Sequence, residues 1–595
     1  VFPYQTIQHR LRQAVAGVVP DADLSAVQVR PCQEERYGDY QATALMGLAK
    51  ARKLNPRQLA AQVMAQLDVR DCCDAVDIAG AGFLNFRLRT DVLQDALCQA
   101  GPGAHPLVAS AAEPRTIVID FSSPNVAKPM HVGHIRSTIL GDCLVRANRL
   151  LGHRVISDNH IGDWGTQFGM LLVGWKTLLD RAALERDAIA ELERIYKAVN
   201  ARCDADKPGY DAAMHQAARA ELVKLQAGDA ENRGIWHEMI RLSQVQFDAI
   251  YGRLGVVFDH ALGESFYNPR LPKVVEDLMA RGIARESDGA RCVFSDGSRP
   301  PKEDAFLIHR DGGWQDNPQL IQKRDGGFNY ATTDLATLAY RLETWSPSEI
   351  IYVTDGRQQL HFQQVFATFQ RWHPELADRV KLVHAWFGSI LGEDGKPLKT
   401  RSGENVKLVD LLDEAEERAF RIVSEKNPEL SEAQRREIAR RVGLGAVKYA
   451  DLLPNRQTDY VFSWDKMLAL NGNTAPYLQY AYARIQSILR KAGADAPPGP
   501  ADWAIGLGTT EERALGRHLL NFGLVIEAVA AEQRPNYLCN YLYDLSSHFT
   551  RFYEQCPVLK AEAGVRASRL ALCRLVADVL RQGLGILGIE VLDQM

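Results

Sequence analysis

Between Ile117 and Gly152 the spacing of hydrophobic positions changes twice, and each change predicts an element. Ile117-Val118-Ile119-Asp120-Phe121 is a short β-branched run of the kind carried by a strand buried on both faces. Turn formers follow as far as Pro129. Ile135, Ile139, Leu140, Cys143, Leu144, Ala147 and Leu151 then recur at helical spacing, with Gly152 where a left-handed C-cap belongs. Val155-Ile156-Ser157 predicts a second strand, which closes a right-handed βαβ unit. A strand, a loop and a helix N-terminus in this order predict a site for phosphate.

Elsewhere the pattern divides the chain into three. Residues 1–105 mix helical and strand periods and end in the linker-like Gly101-Pro102-Gly103-Ala104-His105-Pro106, which predicts a small α+β domain. A doubly wound α/β domain is expected over 113–405. Its strands resume at Glu349-Ile350-Ile351-Tyr352-Val353 and at Val380-Lys381-Leu382-Val383, after a helical insertion over about 170–310. From Val406 to Met595 the period is almost wholly helical, which predicts an all-α bundle interrupted at Ala496-Pro497-Pro498-Gly499-Pro500.

Composition adds limits rather than identity. A chain of 595 residues, 46% hydrophobic, has enough apolar content for several cores. Its ten cysteines include one adjacent pair, Cys72-Cys73, and no CxxC knuckle, so the reading is reduced thiols, no metal site and a cytoplasmic location. No membrane-length apolar run stands out, and Val1-Phe2-Pro3 has no signal-peptide pattern. A net charge of -4 means that any RNA footprint is local, for example at Arg435-Arg436 with Arg440-Arg441, although such a cluster is more often a solvated helix face.

His131 and His134 lie three apart at the predicted helix start, where free N–H groups and the dipole favour an anion. Two imidazoles there are able to donate hydrogen bonds to phosphoryl oxygens, and Gly133 leaves room for a flat base. Alone, this spacing is more often a plain helix cap. The surrounding residues change that balance. His131-Val132-Gly133-His134 resembles the HIGH signature of class I aminoacyl-tRNA synthetases, and the longer run from Phe121 to Thr138 resembles the arginyl-tRNA synthetase family in particular. Further strings match that family in the same order: Gly38-Asp39-Tyr40-Gln41, Ile78 to Phe86, Asn159 to Gly169, Lys323 to Phe328 with Tyr330 and Asp334, and Gly472 to Tyr480.

The resemblance implies a Rossmann-type catalytic domain, an N-terminal domain that meets the tRNA D-loop, and a C-terminal anticodon-binding bundle. It implies activation of L-arginine by ATP, carrying Mg²⁺, to an adenylate, then transfer to the terminal ribose of tRNA(Arg). His131, Gly133 and His134 would bind ATP, and His131, His134 and Lys128 would be catalytic. The usual Lys-Met-Ser-Lys-Ser loop is reduced here to Lys396-Pro397-Leu398-Lys399-Thr400-Arg401, so Lys128 would supply the missing cation, with Lys399 and Arg401 sharing the task. A guanidinium substrate needs planar carboxylate partners, and the candidates are Asp120, at a strand's carboxyl end, and Asp334, four residues after Tyr330. By resemblance, Tyr330 and Asp334 meet the guanidinium, Asp120 and Gln358 shape the pocket, and Ser123 and Asn125 hold the substrate's amino and carboxylate groups. Phe83 and Asn85 would contact the D-loop. No cofactor beyond ATP with Mg²⁺, no membrane partner and a monomer are expected. The rival readings are another HIGH-bearing synthetase and a catalytically silent tRNA-binding paralogue.

Overall fold

The computed structural model describes residues 2–32, 34–99, 107–206, 208–399, 405–493 and 504–595. The mixed period of the first hundred residues becomes a four-stranded antiparallel sheet of β1 (Arg30–Pro31), β2 (Tyr40–Ala42), β3 (Cys73–Ala79) and β4 (Phe83–Leu88), in the order β1-β2-β4-β3. Leu84, Phe86 and Leu88 of β4 share a core with Tyr4, Ile7 and Leu11 of the helix Pro3–Val18 and with Leu59 and Val63 of Pro56–Gln66. The helices Ala475–Ala492, Thr510–Leu520, Phe522–Glu532, Asn536–Gln555 and Ala563–Ile586 belong to the same compact unit. Within it, Tyr4 OH donates to Glu527 Oε1 at 2.7 Å and Arg513 donates to Leu88 O at 3.0 Å. The stretch Thr510–Glu532 is long and apolar enough to cross a membrane, but Leu515, Leu519, Phe522, Ile526 and Val529 are fully buried inside this unit.

The second unit, Glu113–Met467, is built on a parallel sheet. Its first strands are β5 (Thr116–Asp120) and β6 (Arg154–Asp158), joined by the helix Val132–Leu150, and Gly152 ends that connection with φ +83°. Ile117, Val118 and Ile119 are fully buried, as a strand covered on both faces requires. The insertion then runs through seven helices from Gln167–Thr177 to Leu271–Ala280. It ends in two small antiparallel sheets, formed by β7 (Ala284–Ser287), β8 (Ala290–Val293), β9 (Leu307–Arg310), β10 (Gly313–Asp316) and β11 (Gln319–Gln322). The helix Tyr330–Trp345 leads back to β12 (Glu349–Tyr352), and Gln359–Trp372 leads to β13 (Lys381–His384). The central sheet has the order β13-β12-β5-β6, parallel throughout. β14 (Ile390–Leu391) pairs with β15 (Tyr460–Val461) beyond it.

The helices Leu408–Lys426 and Glu432–Leu452 lie in this unit, whereas the sequence period groups them with the C-terminal bundle. Helical period says that a helix has a buried stripe, not which core receives it. Here the receivers are explicit: Leu408 N donates to Met130 O at 2.9 Å, and Arg136, in the helix after β5, meets Asp451 at 3.0 Å with both side chains buried. Three of the arginines of Glu432–Leu452 are held by acids of their own face, Arg436 by Glu432 and Arg440 and Arg441 by Glu437, while Arg435 lies over the Phe420 ring.

Candidate active site

β5 has β6 on one side and β12 on the other, and the connections leave in opposite directions, so the crevice outside their carboxyl ends is the topological switch point of the sheet. Two loops frame it, residues 121–131 after β5 and 353–358 after β12. Ser122, Ser123 and Ala127 all hold positive φ, at +76°, +49° and +61°, and strain of this density in non-glycine residues persists only where neighbours enforce it. Ser122 N donates to Ser137 Oγ at 2.8 Å, Ser123 N to Asn159 Oδ1 at 3.0 Å and Ala127 N to Ser243 Oγ at 2.9 Å.

His131 is the N-cap of Val132–Leu150 and accepts from Gly133 N through Nδ1 at 3.0 Å. His134 Nδ1 in turn accepts from His131 N at 3.1 Å, and the two rings lie 4.0 Å apart. An accepting Nδ1 fixes the proton of a neutral ring on Nε2, so each imidazole keeps one N–H to offer. Burial holds both rings neutral. His134 is pushed down to about 3, and His131 is lowered by burial first and then by the charges of Arg357 and Lys128. A Cβ at Gly133 would fall 2.8 Å from the His131 ring, so glycine keeps that ring in place.

Linkage gives this neutrality a sign. Both folded-state values lie below the ordinary 6.5, so the unfolded chain takes up protons first as pH falls. The stabilising contribution is complete above about 6.5 and is lost on acidification below it. The loss in urea midpoint between pH 7 and pH 5 is expected to be smaller in His134→Gln than in the unsubstituted protein; equal losses would remove His134 from the account.

Lys128 lies in the strained loop with Nζ 4.8 Å from the centre of the Tyr196 ring. Lys399 is exposed in a third loop, the one after β14, where its backbone pairs with Asn405, and Arg401 lies outside the described residues. That loop returns beside the histidines, for Lys407 pairs with His131 and Val132 N donates to Val406 O at 2.9 Å.

The two candidate carboxylates have different fates. Asp120 is buried and already holds a guanidinium, that of Arg341, at 2.5 Å; the same Nη2 lies 2.7 Å from Asp158, the register partner of Asp120 on β6. Asp120 is therefore engaged from within the protein by Arg341. Asp334 stays near the surface of the cleft, one turn after the exposed Tyr330 on Tyr330–Trp345. His361 Nε2 lies 2.6 Å from Asp334 Oδ2, and the His361 ring is 4.7 Å from that of Tyr330. Ser123 Oγ donates to Asp120 Oδ1 at 3.3 Å. Asn125 is exposed and bridges to Gly162, while Gln358 is exposed at the end of the turn Gly356–Gln358.

Sequence reasoning missed Arg341, His361 and Glu264. The Glu264 carboxyl is pushed up to about 7 by burial, against the pull of His160 and with Asp163 and Asp334 adding to the rise. A shifted carboxyl in a cleft is a signal that burial creates, and no local spacing carries it.

In the other unit, Phe83 is half-buried at the start of β4, whereas Asn85 is 3% exposed in mid-strand, its Oδ1 accepting from Gln41 Nε2 at 2.8 Å. Asn85 thus stands inside the sheet, and Phe83 at its rim.

Residues 5–88, 96–464 and 478–595 match, in turn, families described as arginyl tRNA synthetase N terminal domain, tRNA synthetases class I (R) catalytic domain, and DALR anticodon binding domain. With a parallel sheet and a histidine-capped helix at its switch point, the fold and site are those of a class I aminoacyl-tRNA synthetase. The arginine--tRNA ligase of Cellvibrio japonicus is 47% identical, covering 99% of each chain, and that of Laribacter hongkongensis is 44% identical with the same coverage. The arginyl-tRNA synthetase of Thermus thermophilus matches in structure with a TM-score of 0.82 at 26% identity over 100% of both chains. That of Plasmodium falciparum gives 0.80 at 27%, over 100% of this chain and 99% of its own. The chain belongs to the arginyl-tRNA synthetase family.

Proposed function

We propose that the crevice at the carboxyl ends of β5 and β12 carries both steps of arginine–tRNA ligation. The arginine carboxylate attacks the α-phosphate of ATP in line, pyrophosphate leaves, and a terminal ribose hydroxyl of tRNA(Arg) then takes the aminoacyl group and releases AMP. The observation that carries this reading is the pair of imidazoles at one helix N-terminus, each accepting a backbone N–H through Nδ1, in the crevice flanked by the loops after β5 and β12. Donors fixed before charge develops stabilise a pentacovalent phosphate without reorganising.

In this reading His131 and His134 donate to phosphoryl oxygens, Gly133 admits the base, and Lys128 supplies positive charge, shared with Lys399 and Arg401. MgATP enters as substrate, so the metal comes with the nucleotide. Asp334 and Tyr330 receive the guanidinium, Ser123 and Asn125 the amino and carboxylate groups, and Gln358 closes the rim. Asp120 acts through Arg341 as part of the floor. Residues 478–595 grip the anticodon, and the N-terminal domain meets the D-loop through Phe83. The enzyme acts as a cytoplasmic monomer. Pyrophosphate exchange into ATP that depends on arginine, and on none of the other amino acids, in the presence of tRNA tests the reading. Exchange that depends on a different amino acid favours another HIGH-bearing synthetase, and tRNA binding without exchange favours a silent paralogue.

Two further results are expected. Lys128→Ala lowers kcat for adenylate formation about tenfold, or about 1.4 kcal/mol, with arginine KM little changed, while Lys399→Ala is milder. An equal or larger kcat loss at Lys399 would reverse the assignment. Phe83→Ala weakens tRNA binding by about 1–3 kcal/mol, the worth of one stacked base, with ATP KM unchanged. Asn85→Ala, which removes the partner of Gln41, is expected to weaken binding equally for tRNA with normal and substituted D-loops; a loss confined to the normal D-loop would show direct base reading by Asn85 instead.

A further inference from the structure

The helix Ala188–Cys203 of the insertion meets the side chains of two lysines, Lys128 and Lys407, that leave the segments framing His131. Its half-buried Tyr196 presents a ring face to Lys128, and one turn earlier Glu193 lies 3.8 Å from Lys407 Nζ and 2.9 Å from Lys197 Nζ. Lys407, directly before the helix Leu408–Lys426, is the residue whose backbone pairs with His131. Lys128 leaves the first loop directly after Ala127, whose left-handed backbone is locked by its bond to Ser243. Both lysines are thereby fixed at the backbone end by the histidine-bearing segment and at the ammonium end by the insertion.

We propose that Ala188–Cys203 is a positioning strap for Lys128, in which Tyr196 seats the Lys128 ammonium where it meets the phosphates and Glu193 steadies the Lys407 segment that pairs with His131. This rests on the reading of Lys128 as the cation that supports adenylate formation. A lysine stem without such a seat spreads its charge over many rotamers, and an aromatic face narrows that distribution while leaving the ammonium charged. The Lys128 charge reaches the His131 imidazole from this seat and helps to hold it below its usual range, after burial and Arg357. Tyr196 touches no reacting atom in this scheme. It is a positioning residue, and its effect belongs in kcat.

The test is arginine-dependent pyrophosphate exchange by the full-length enzyme with tRNA present. Tyr196→Leu is expected to lower kcat about 3- to 10-fold while KM for ATP and arginine stays within about twofold, and Tyr196→Phe, which keeps the ring, restores most of the rate. Lys128→Ala with Tyr196→Leu is expected to be no slower than Lys128→Ala alone, because the second change acts through the first. A Tyr196→Leu enzyme as fast as the parent, beside an impaired Lys128→Ala enzyme, overturns the strap and leaves the Lys128 reading standing. Losses that multiply in the double variant also overturn it, as does a Tyr196→Phe enzyme no faster than Tyr196→Leu. An unimpaired Lys128→Ala enzyme removes the Lys128 reading and the strap together.

Discussion

Arg341→Met is expected to destabilise the catalytic unit by about 3–5 kcal/mol, the cost of stripping the partner from buried charges. The Arg341 side chain is fully buried, and one of its nitrogens serves both Asp120 and Asp158 at the adjacent carboxyl ends of β5 and β6. Burial already raises Asp120, and the charge of Arg341 is the largest influence opposing that rise. Without the guanidinium, two carboxylates in one dry place cannot both stay ionised. The sign with pH follows. A folded-state carboxyl held above its unfolded value keeps a proton that the unfolded chain releases above about 4, so the variant's stability falls as pH rises. Urea unfolding followed between pH 5 and pH 8 should show a deficit that grows with pH. Adding Asp120→Asn and Asp158→Asn should recover much of it, since the excess charge is then gone. A deficit that is small and independent of pH would mean that the trio is incidental to the fold.

How much of this was legible beforehand differs from residue to residue. The strand, loop and helix around His131 were readable because a β-branched run, a cluster of turn formers and a helical period succeed one another within some forty residues, and each signal is local. Tyr330 and Asp334 on one face were readable for the same reason. Arg341 was not. It stands seven residues after Asp334 in the same helix and looks like any arginine near a helix end, because its partners are 221 and 183 positions away in sequence. Asp120 was read as a ligand carboxylate since its place after a strand is visible and its internal partner is not. His361 escaped because a histidine in an amphipathic helix is usually just packed, and only the return of Gln359–Trp372 beside Tyr330–Trp345 brings it to Asp334. Asn85 alternates onto the side of β4 away from the apolar core, yet the side chain of Gln41, its register partner on β2, engages it there, and strand period alone does not report such a partner.

Arginine recognition then turns on Asp334, and Asp334→Asn is expected to cost about 1.5–3 kcal/mol in kcat/KM for arginine, the worth of hydrogen bonds to a charged group. This corresponds to about 10- to 150-fold. Asp120 and Asp158 are both buried and engaged by Arg341, and Glu264, pushed up to about 7, is only partly ionised at neutral pH. Asp334 has one oxygen engaged by His361, whose ring also packs against Tyr330, so its carboxylate is oriented before any ligand arrives. Asparagine keeps the size and a bond to His361 but removes the charge that selects a guanidinium, and it presents an NH₂ group to a ligand made only of donors. Selectivity should fall with it. The parent enzyme is expected to reject citrulline, which carries a carbonyl where arginine carries a charged nitrogen, and the ratio of arginine to citrulline activation should shrink most in Asp334→Asn. His361→Phe removes the orienting bond and keeps the charge, so its effect should be smaller and should appear mainly in arginine KM. Pyrophosphate exchange measured with both amino acids separates these cases: an Asp334→Asn enzyme with unchanged arginine kcat/KM would move recognition to another carboxylate, with Glu264 the first to examine.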